Sequence, residues 1–409
     1  MMLERSSPSV TEPIRRPLAG FAVLLLLFGG APLGAAGAVN SFAAFVDGLW
    51  PDAAKLGIAR PTFDSALGGL TPDGAVLASM RREPEYGKPI GAYLAGLVSP
   101  GRIDGGLRKS AQWDATLRAA RESYGVDPAI LVSVWGIESS FGAGSQPWDV
   151  FRSLATLAQA RFQHPLFRDE LLSALRILQD GRVARREFVG SWAGAMGQPQ
   201  FLPSSYLKYA VDFDGDGKPD IWHSVPDTLG SIANYLAKSG WQSGLPWGFE
   251  VSIPAAFDHR VSRASFADWF RHGLRRADGG LLPASGNAIL FWPSGAGGPA
   301  FLVTDNFVVL KRYNNSDAYA LAVALLSDRL QGHAPFRAAW PLDDFQPSRD
   351  QRIALQRRLA ELGYKVADFE GHLDFDMRDA VRDLQRRYGL VPDGHPGRAF
   401  LAHLGVAAR

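Results

Sequence analysis

Between Pro128 and Ser140 a carboxylate falls on an apolar stripe, with Leu131, Val134, Trp135 and Glu138 recurring at helical spacing. Glutamate is rarely buried without a partner or a task. Burial disfavours the charged form, and the carbonyl end of a helix that stops near Gly142 disfavours it further. A carboxyl that keeps its proton near neutral pH can protonate a glycosidic oxygen as a general acid. A glutamate neutralised by an interior arginine, or held by a backbone amide, fits the same pattern. Periodicity does not choose between these readings.

A second cluster runs from Asp212 to Asp220 as Asp-Phe-Asp-Gly-Asp-Gly-Lys-Pro-Asp. Asp212, Asp214 and Asp216 stand at positions 1, 3 and 5 of an EF-hand-like calcium loop, with Gly217 at 6, Lys218 offering only its carbonyl, and Asp220 at 9. Carboxylates this close repel one another unless a cation or solvent screens them. His223 stands at position 12 in place of the usual glutamate, and a solvated acidic turn is the alternative. His164, His223, His259 and His272 offer no pair at the spacing of a helical zinc motif. Gly215 and Gly217 sit among acids that would repel phosphate, so no nucleotide loop is read there.

The chain has 409 residues, which favours two domains. Hydrophobic residues make up 46% and charged ones 21%, as in an ordinary folded protein. The formal net charge of +2 gives no reason to expect a nucleic-acid partner. The absence of cysteine excludes disulfides, thiolate metal sites and a cysteine nucleophile. Arg15 and Arg16 precede the apolar run Leu18 to Phe28 and the small residues Gly34 to Ala38, the pattern of an export signal over residues 1–38, cleaved near Ala38. That run is shorter than the ~20 residues of a comfortable bilayer span, so no stable membrane insertion is expected after cleavage.

The elements that must position Glu138 are mainly helical. Trp113, Leu117 and Ala120 mark a helix over Ser110 to Tyr124, and Asp127-Pro128 opens the next with a cap and a first-turn proline. Further helices are predicted over Pro165 to Leu178 and Ser316 to Gln331. Two apolar runs, 289–292 and 307–310, flank a glycine-rich turn and read as short strands. The proline-punctuated stretch 332–346 reads as a linker. Beyond it, two Leu-Gln phrases, each followed by an acidic-glycine turn (Glu370-Gly371, Asp393-Gly394), form a weak internal repeat. The expected fold class is mainly α (α+β), a larger unit with a minor β part followed by a small helical module.

The phrase Gly136-Ile-Glu-Ser-Ser-Phe-Gly142 resembles the catalytic signature of lysozyme-like lytic transglycosylases. The segment Gly190 to Tyr206, then Tyr209 to Gly217, Ser231 to Tyr235 and Arg312-Tyr-Asn-Asn-Ser316, follow in the order of the B-type lytic murein transglycosylases. The resemblance covers residues 41–331, and it implies a lysozyme-like catalytic domain. In that family one glutamate is acid and then base, so Glu138 would release a 1,6-anhydro end with no water consumed. By motif position Ser191, Gln200, Tyr235 and Tyr313 would line the sugar subsites. Arg161 stands where the family often has a basic pair and would grip a substrate carboxylate, although here Phe162 follows it. The family's calcium loop is longer, which makes Asp227 the closing ligand. The implied cofactor list is a structural calcium ion and nothing required for chemistry.

Residues 347–405 resemble the small three-helix peptidoglycan-binding domains, through Leu355-Gln356, Leu362-Gly363-Tyr364, Leu384-Gln385 and Tyr388-Gly389-Leu390. His372 and Met377 depart from that pattern around the turn. The implied partners are peptidoglycan strands and other cell-wall enzymes, and the implied compartment is the periplasm. A hydrolytic muramidase and a non-catalytic wall-binding protein are the competing readings.

Overall fold

The computed structural model describes residues 41–81, 87–144, 147–162 and 164–406. The expected export signal and its cleavage point near Ala38 lie outside the described residues. At the centre is the helix Pro128–Ser139, capped by Asp127, whose carboxylate accepts from the Ala129 amide at 2.8 Å. Residues 129–139 are buried on every side. The expected one-sided stripe is thus a core helix, wrapped by Pro100–Gln112, Val225–Lys238 and Asp317–Leu330. Its buried Ser133 and Ser139 hydroxyls donate to carbonyls one turn back, which lets them lie in an apolar core.

The helix expected over Ser110 to Tyr124 is two helices, Pro100–Gln112 and Asp114–Tyr124, broken at Trp113. The predicted helix from Pro165 is Leu166–Gln179, and the one from Ser316 is Asp317–Leu330 with Ser316 as its cap. A short antiparallel pair, β1 (Trp148–Asp149) with β2 (Val189–Gly190), stands beside the central bundle.

The larger sheet contains β3 (Gly248–Ser252), β4 (Arg263–Ser265), β5 (Arg275–Arg276), β6 (Asn287–Phe291) and β7 (Ala300–Val303), in the antiparallel order β4-β6-β7-β3-β5. Ile289, Phe291, Phe301 and Val303 face the main core, while Ala288, Leu290, Ala300 and Leu302 face a second core with Phe266 and Trp269. The strand expected over 307–310 is instead part of the helix Asp305–Asn314, and the partner of β6 is β7. A short apolar run fits a buried strand or a buried helix equally well. Thr304 decides it, because its hydroxyl accepts from Asn306 N (3.2 Å) and opens a helix.

The stretch from 332 to 347 has no helix or strand, yet it is pinned. Glu250 accepts from the amides of Arg337 and Ala338 (2.7 Å each), and Asp344 accepts from Ile90 N at 2.6 Å. Trp340 lies so close to Gly91 that a Cβ there would meet its ring at 2.6 Å. The C-terminal helices Arg349–Glu361, Phe375–Arg387 and Arg398–His403 close over their own core of Leu355, Leu359, Val381, Leu384 and Phe400. The repeat has a physical basis: Gln356 and Gln385 each brace the turn that follows. Gln356 accepts from Gly371 N (2.7 Å) and donates to Asp368 and His372 O, and Gln385 accepts from Gly394 N (2.9 Å) and donates to Asp393 and His395 O. Among the described residues no helix is long and apolar enough to cross a membrane.

Candidate active site

Glu138 lies in the last turn of the central helix and is 1% exposed. Three residues in positive φ end that helix: Ser140 (51°), Phe141 (61°) and Gly142 (80°). For Ser140 and Phe141 such a conformation costs of order 1–2 kcal/mol each. The turn folds Phe141 back over Gly136, where a Cβ would sit 2.5 Å from the ring, and edge-on to Trp135 at 5.6 Å. Gly142 abuts Gln198, whose Oε1 would lie 2.5 Å from a Cβ at 142 and accepts from Trp135 Nε1 at 2.8 Å. Both glycines of the signature therefore close the helix on itself and set the glutamate beside its open end.

A buried phenol meets Glu138. Tyr319 Oη donates to Glu138 Oε1 across 2.5 Å, and Tyr319 has no exposed surface. Burial first, then the Glu138 charge and Tyr313, push the Tyr319 hydroxyl well above the ordinary phenol range. It therefore stays protonated and donates. Burial works against a glutamate anion here, and the Tyr319 hydrogen bond works for it.

Tyr319 begins a chain of rings. Tyr313 stacks on it at 6.2 Å and 15°, Tyr235 meets Tyr313 edge-on at 4.7 Å, and Tyr209 meets Tyr235 at 4.7 Å. Tyr313 is buried and donates to Pro199 O at 2.7 Å, while Tyr235 is half-buried and donates to Arg312 O at 2.6 Å. Burial pushes the Tyr235 hydroxyl up to about 12. Of the two predicted tyrosines, Tyr235 keeps a ring partly open to solvent, and Tyr313 forms the wall between it and the acid's partner.

Ser191 and Gln200 come from one doubled-back segment, in which Met196 bridges both Gly190 and Phe201. The Ser191 hydroxyl accepts from Ala193 N (3.3 Å) and Ala195 N (3.1 Å), which leaves its proton to donate. Gln200 is held at φ 54° and donates to Gly197 O at 2.8 Å. Its neighbours fix it to the tyrosines, since Pro199 O takes the Tyr313 hydroxyl and Phe201 packs on Tyr235 and Tyr313. A different element places Arg161, which caps the helix Val150–Ala160. His164, just beyond it, contacts Glu370, in the turn between the first two C-terminal helices, at 3.3 Å.

In the acidic loop, ligand oxygens of Asp212, Asp214 and Asp227 lie within 4.8 Å of one another. Asp227 is fully buried, and its carboxylate accepts from Phe213 N (2.7 Å), Asp214 N (3.2 Å) and Asp220 N (2.7 Å). Burial raises its pKa and these amides oppose the rise. This trio of hard oxygen donors fits calcium better than a softer metal. Of the expected carboxylate ligands, Asp212, Asp214 and Asp227 converge, while Asp216 accepts from Lys218 N at 2.9 Å and stands outside the trio. The loop also braces the ring-bearing helix Val225–Lys238, because Phe213 fills the space where Gly230 lacks a Cβ (2.6 Å).

Sequence reasoning missed Tyr319 and Gln198. A signal for Tyr319 was present: it is a single hydroxyl-bearing ring among alanines, leucines and valines in Asp317–Leu330, and a buried tyrosine hydroxyl needs a partner.

Known proteins resemble this chain in sequence and in fold. The Transglycosylase SLT domain family matches residues 41–328, and a peptidoglycan binding domain family matches residues 348–404. Membrane-bound lytic murein transglycosylase B of Escherichia coli (strain K12) is 33% identical over 253 residues, a match spanning 58% of this chain and 66% of that protein. The crystal structure of SltB3 from Pseudomonas aeruginosa in complex with NAG-anhNAM-pentapeptide superposes with a TM-score of 0.80 at 43% identity, covering 90% of this chain and all (100%) of that one. Escherichia coli Slt35 in complex with calcium gives a TM-score of 0.59 at 27% identity, covering 71% of this chain and 92% of that one. The chain therefore belongs to the SLT family of peptidoglycan lytic transglycosylases, with a peptidoglycan-binding domain behind the transglycosylase domain.

Proposed function

We propose that this enzyme cleaves the MurNAc–GlcNAc bond of peptidoglycan without water, with Glu138 as acid and then as base. The observation that carries the reading is the buried Glu138 carboxyl at the closing turn of the central helix, held by the neutral Tyr319 hydroxyl. In the first step Glu138 gives its proton to the glycosidic oxygen as the bond from the MurNAc anomeric carbon breaks. In the second, the MurNAc C6 hydroxyl adds to that carbon and its proton passes to the Glu138 carboxylate. The products are a GlcNAc hydroxyl and a 1,6-anhydro end, and the enzyme is restored. Between the steps the Tyr319 hydrogen bond stabilises the carboxylate and fixes its orientation. The anhydro sugar bound by SltB3 supports the same outcome for a chain 43% identical to it.

Tyr235 would offer its partly open ring to a sugar face, Ser191 and Gln200 would bond hydroxyl or acetamido groups, and Arg161 would meet a carboxylate. Calcium would be held by Asp212, Asp214 and Asp227 and would stiffen the loop under the Tyr235 helix, with no part in the reaction. Export to the periplasm suits a wall substrate.

Digestion of purified murein tests the reading. Anhydro products from the native enzyme, lost by about 10²–10⁴-fold in Glu138→Gln, support it. Products one water heavier would make the enzyme a muramidase. Undiminished cleavage by the variant would remove Glu138 from the chemistry.

A further inference from the structure

The two helices that bring tyrosines to Glu138 meet at a tight junction. Asp305–Asn314 carries Tyr313 and Asp317–Leu330 carries Tyr319, with Asn315 at φ 22° between them. This junction is held from outside the transglycosylase unit. Asp317, the first residue of its helix, is 8% exposed and lies between two buried cations: Lys311 Nζ at 2.6 Å from Oδ1 and Arg378 Nη2 at 2.6 Å from Oδ2. Lys311 belongs to the preceding helix and also donates to Leu373 O at 2.8 Å. Arg378 belongs to the C-terminal helix Phe375–Arg387 and also donates to Gly394 O at 3.1 Å. Its guanidinium covers the Phe291 ring at 4.9 Å, and Phe375 meets Phe291 edge-on at 5.6 Å. The C-terminal helices thus grip the end of one tyrosine helix and the start of the other.

We propose that Arg378 is a positioning residue for catalysis: through Asp317 it sets the first turn of the tyrosine helix, and so the hydrogen bond from Tyr319 to Glu138. Tyr319 is two residues beyond Asp317, in the same turn, with its amide on the Ser316 hydroxyl at 3.3 Å. A displaced first turn moves the Tyr319 ring directly. Buried charge clusters of this kind are weak contributors to stability, and well-packed apolar side chains often replace them without loss. What the cluster supplies is direction, since a charged, hydrogen-bonded guanidinium fixes angles that an apolar contact would leave loose. The C-terminal module then has a part in turnover besides holding the wall, and its docking completes the acid's environment.

The charge count makes the test practicable. Loss of Arg378 leaves Asp317 neutralised by Lys311, whereas loss of Asp317 leaves two buried cations facing each other. The full-length chain carrying Arg378→Met is assayed on a soluble glycan fragment for kcat and KM separately. The expected result is a fall in kcat of about 10- to 100-fold with KM within about twofold, as for a small misplacement of a catalytic group. Arg378→Lys, which keeps a cation toward Asp317, recovers most of kcat and carries the test if the methionine variant does not fold. In a Tyr319→Phe background, Arg378→Met costs less than about twofold further, because the two act on one hydrogen bond. A rise in KM alone, full additivity with Tyr319→Phe, or unchanged kcat in a variant that melts like the native chain each overturns the proposal. The proposal rests on Glu138 as the acid, so Glu138→Gln is run beside it. An inactive Glu138→Gln with a fully active Arg378→Met rejects the Arg378 role alone, and an active Glu138→Gln rejects both.

Discussion

Tyr319 donates its hydroxyl to Glu138 Oε1 at 2.5 Å, from a helix that packs along the one carrying the glutamate. A neutral donor on a buried carboxyl favours the ionised form without neutralising it, as a salt bridge would. Tyr319→Phe keeps the ring stacked on Tyr313 and removes only the donor. A hydrogen bond to a charged group contributes about 1.5–3 kcal/mol, so kcat is expected to fall roughly 10- to 100-fold. The sign of the pH effect follows from the same bond. Donation to the carboxylate lowers the acid's pKa, so its loss raises it, and the alkaline limb of kcat/KM moves to higher pH. A pH–rate profile that keeps its limb in place would show that Tyr319 does not touch the working acid.

Gly136→Ala sets two principles against each other. Alanine improves helix propensity by about 1 kcal/mol over glycine. The new Cβ would meet the Phe141 ring at 2.5 Å, and that ring cannot retreat freely because it also faces Gly105, where a Cβ would lie at 3.1 Å. Overpacking of this kind costs about 1–3 kcal/mol. The packing term should prevail, so the variant melts lower by several degrees, at about 2–4 °C per kcal/mol. It also loses activity, because the displaced turn begins two residues beyond Glu138. A rise in melting temperature would mean that the turn after the helix is softer than its glycines suggest.

Burial alone would not have identified the acid. Glu170 is also buried, at 4% exposure, yet Ser204 occupies both of its oxygens through its amide (2.8 Å) and hydroxyl (2.6 Å), a capping role. What distinguished Glu138 in the sequence was the glycine-bounded phrase around it, and the structure gives the reason for each glycine. The Leu-Gln repeat was legible for a similar reason, since Gln356 and Gln385 do the same local work at fixed offsets. The strand expected at 307–310 failed because the deciding group, Thr304, lies outside the apolar run. The partners of Tyr319 and Arg378 were hidden for a deeper reason: they lie 181 and 61 residues away in the chain, and no local pattern encodes such pairings.

The acidic loop yields a prediction that is independent of catalysis. If Asp212, Asp214 and Asp227 hold calcium, the ion should stabilise the fold in proportion to the logarithm of its excess over Kd, by about 2.7 kcal/mol at 100 Kd, and raise the melting temperature accordingly. Asp227→Asn should abolish this calcium-dependent rise. Asp220→Ala should preserve it, because Asp220 stands outside the trio of converging carboxylates. The readout is the difference with and without calcium, measured by calorimetry against a chelator. A rise that survives Asp227→Asn would place the ion elsewhere.

Asp317 predicts how the junction behaves with pH. Burial alone would raise its pKa, but the Lys311 and Arg378 charges hold the carboxyl well below the ordinary carboxylate range. A depressed folded-state pKa means stability that is fully present above the unfolded value of about 3.9 and is lost as pH falls below it through the folded value. Asp317→Asn should therefore cost about 3–5 kcal/mol, the usual loss when a buried charge cluster is left with an unpaired ion. The gap between native and variant should stay constant from about pH 5 to 8 and narrow only below about pH 4. Denaturant titrations at several pH values measure that gap. A gap that closed near neutral pH would mean that Asp317 is not ionised in the folded protein, and the grip of Arg378 on the tyrosine helix would then rest on a neutral contact.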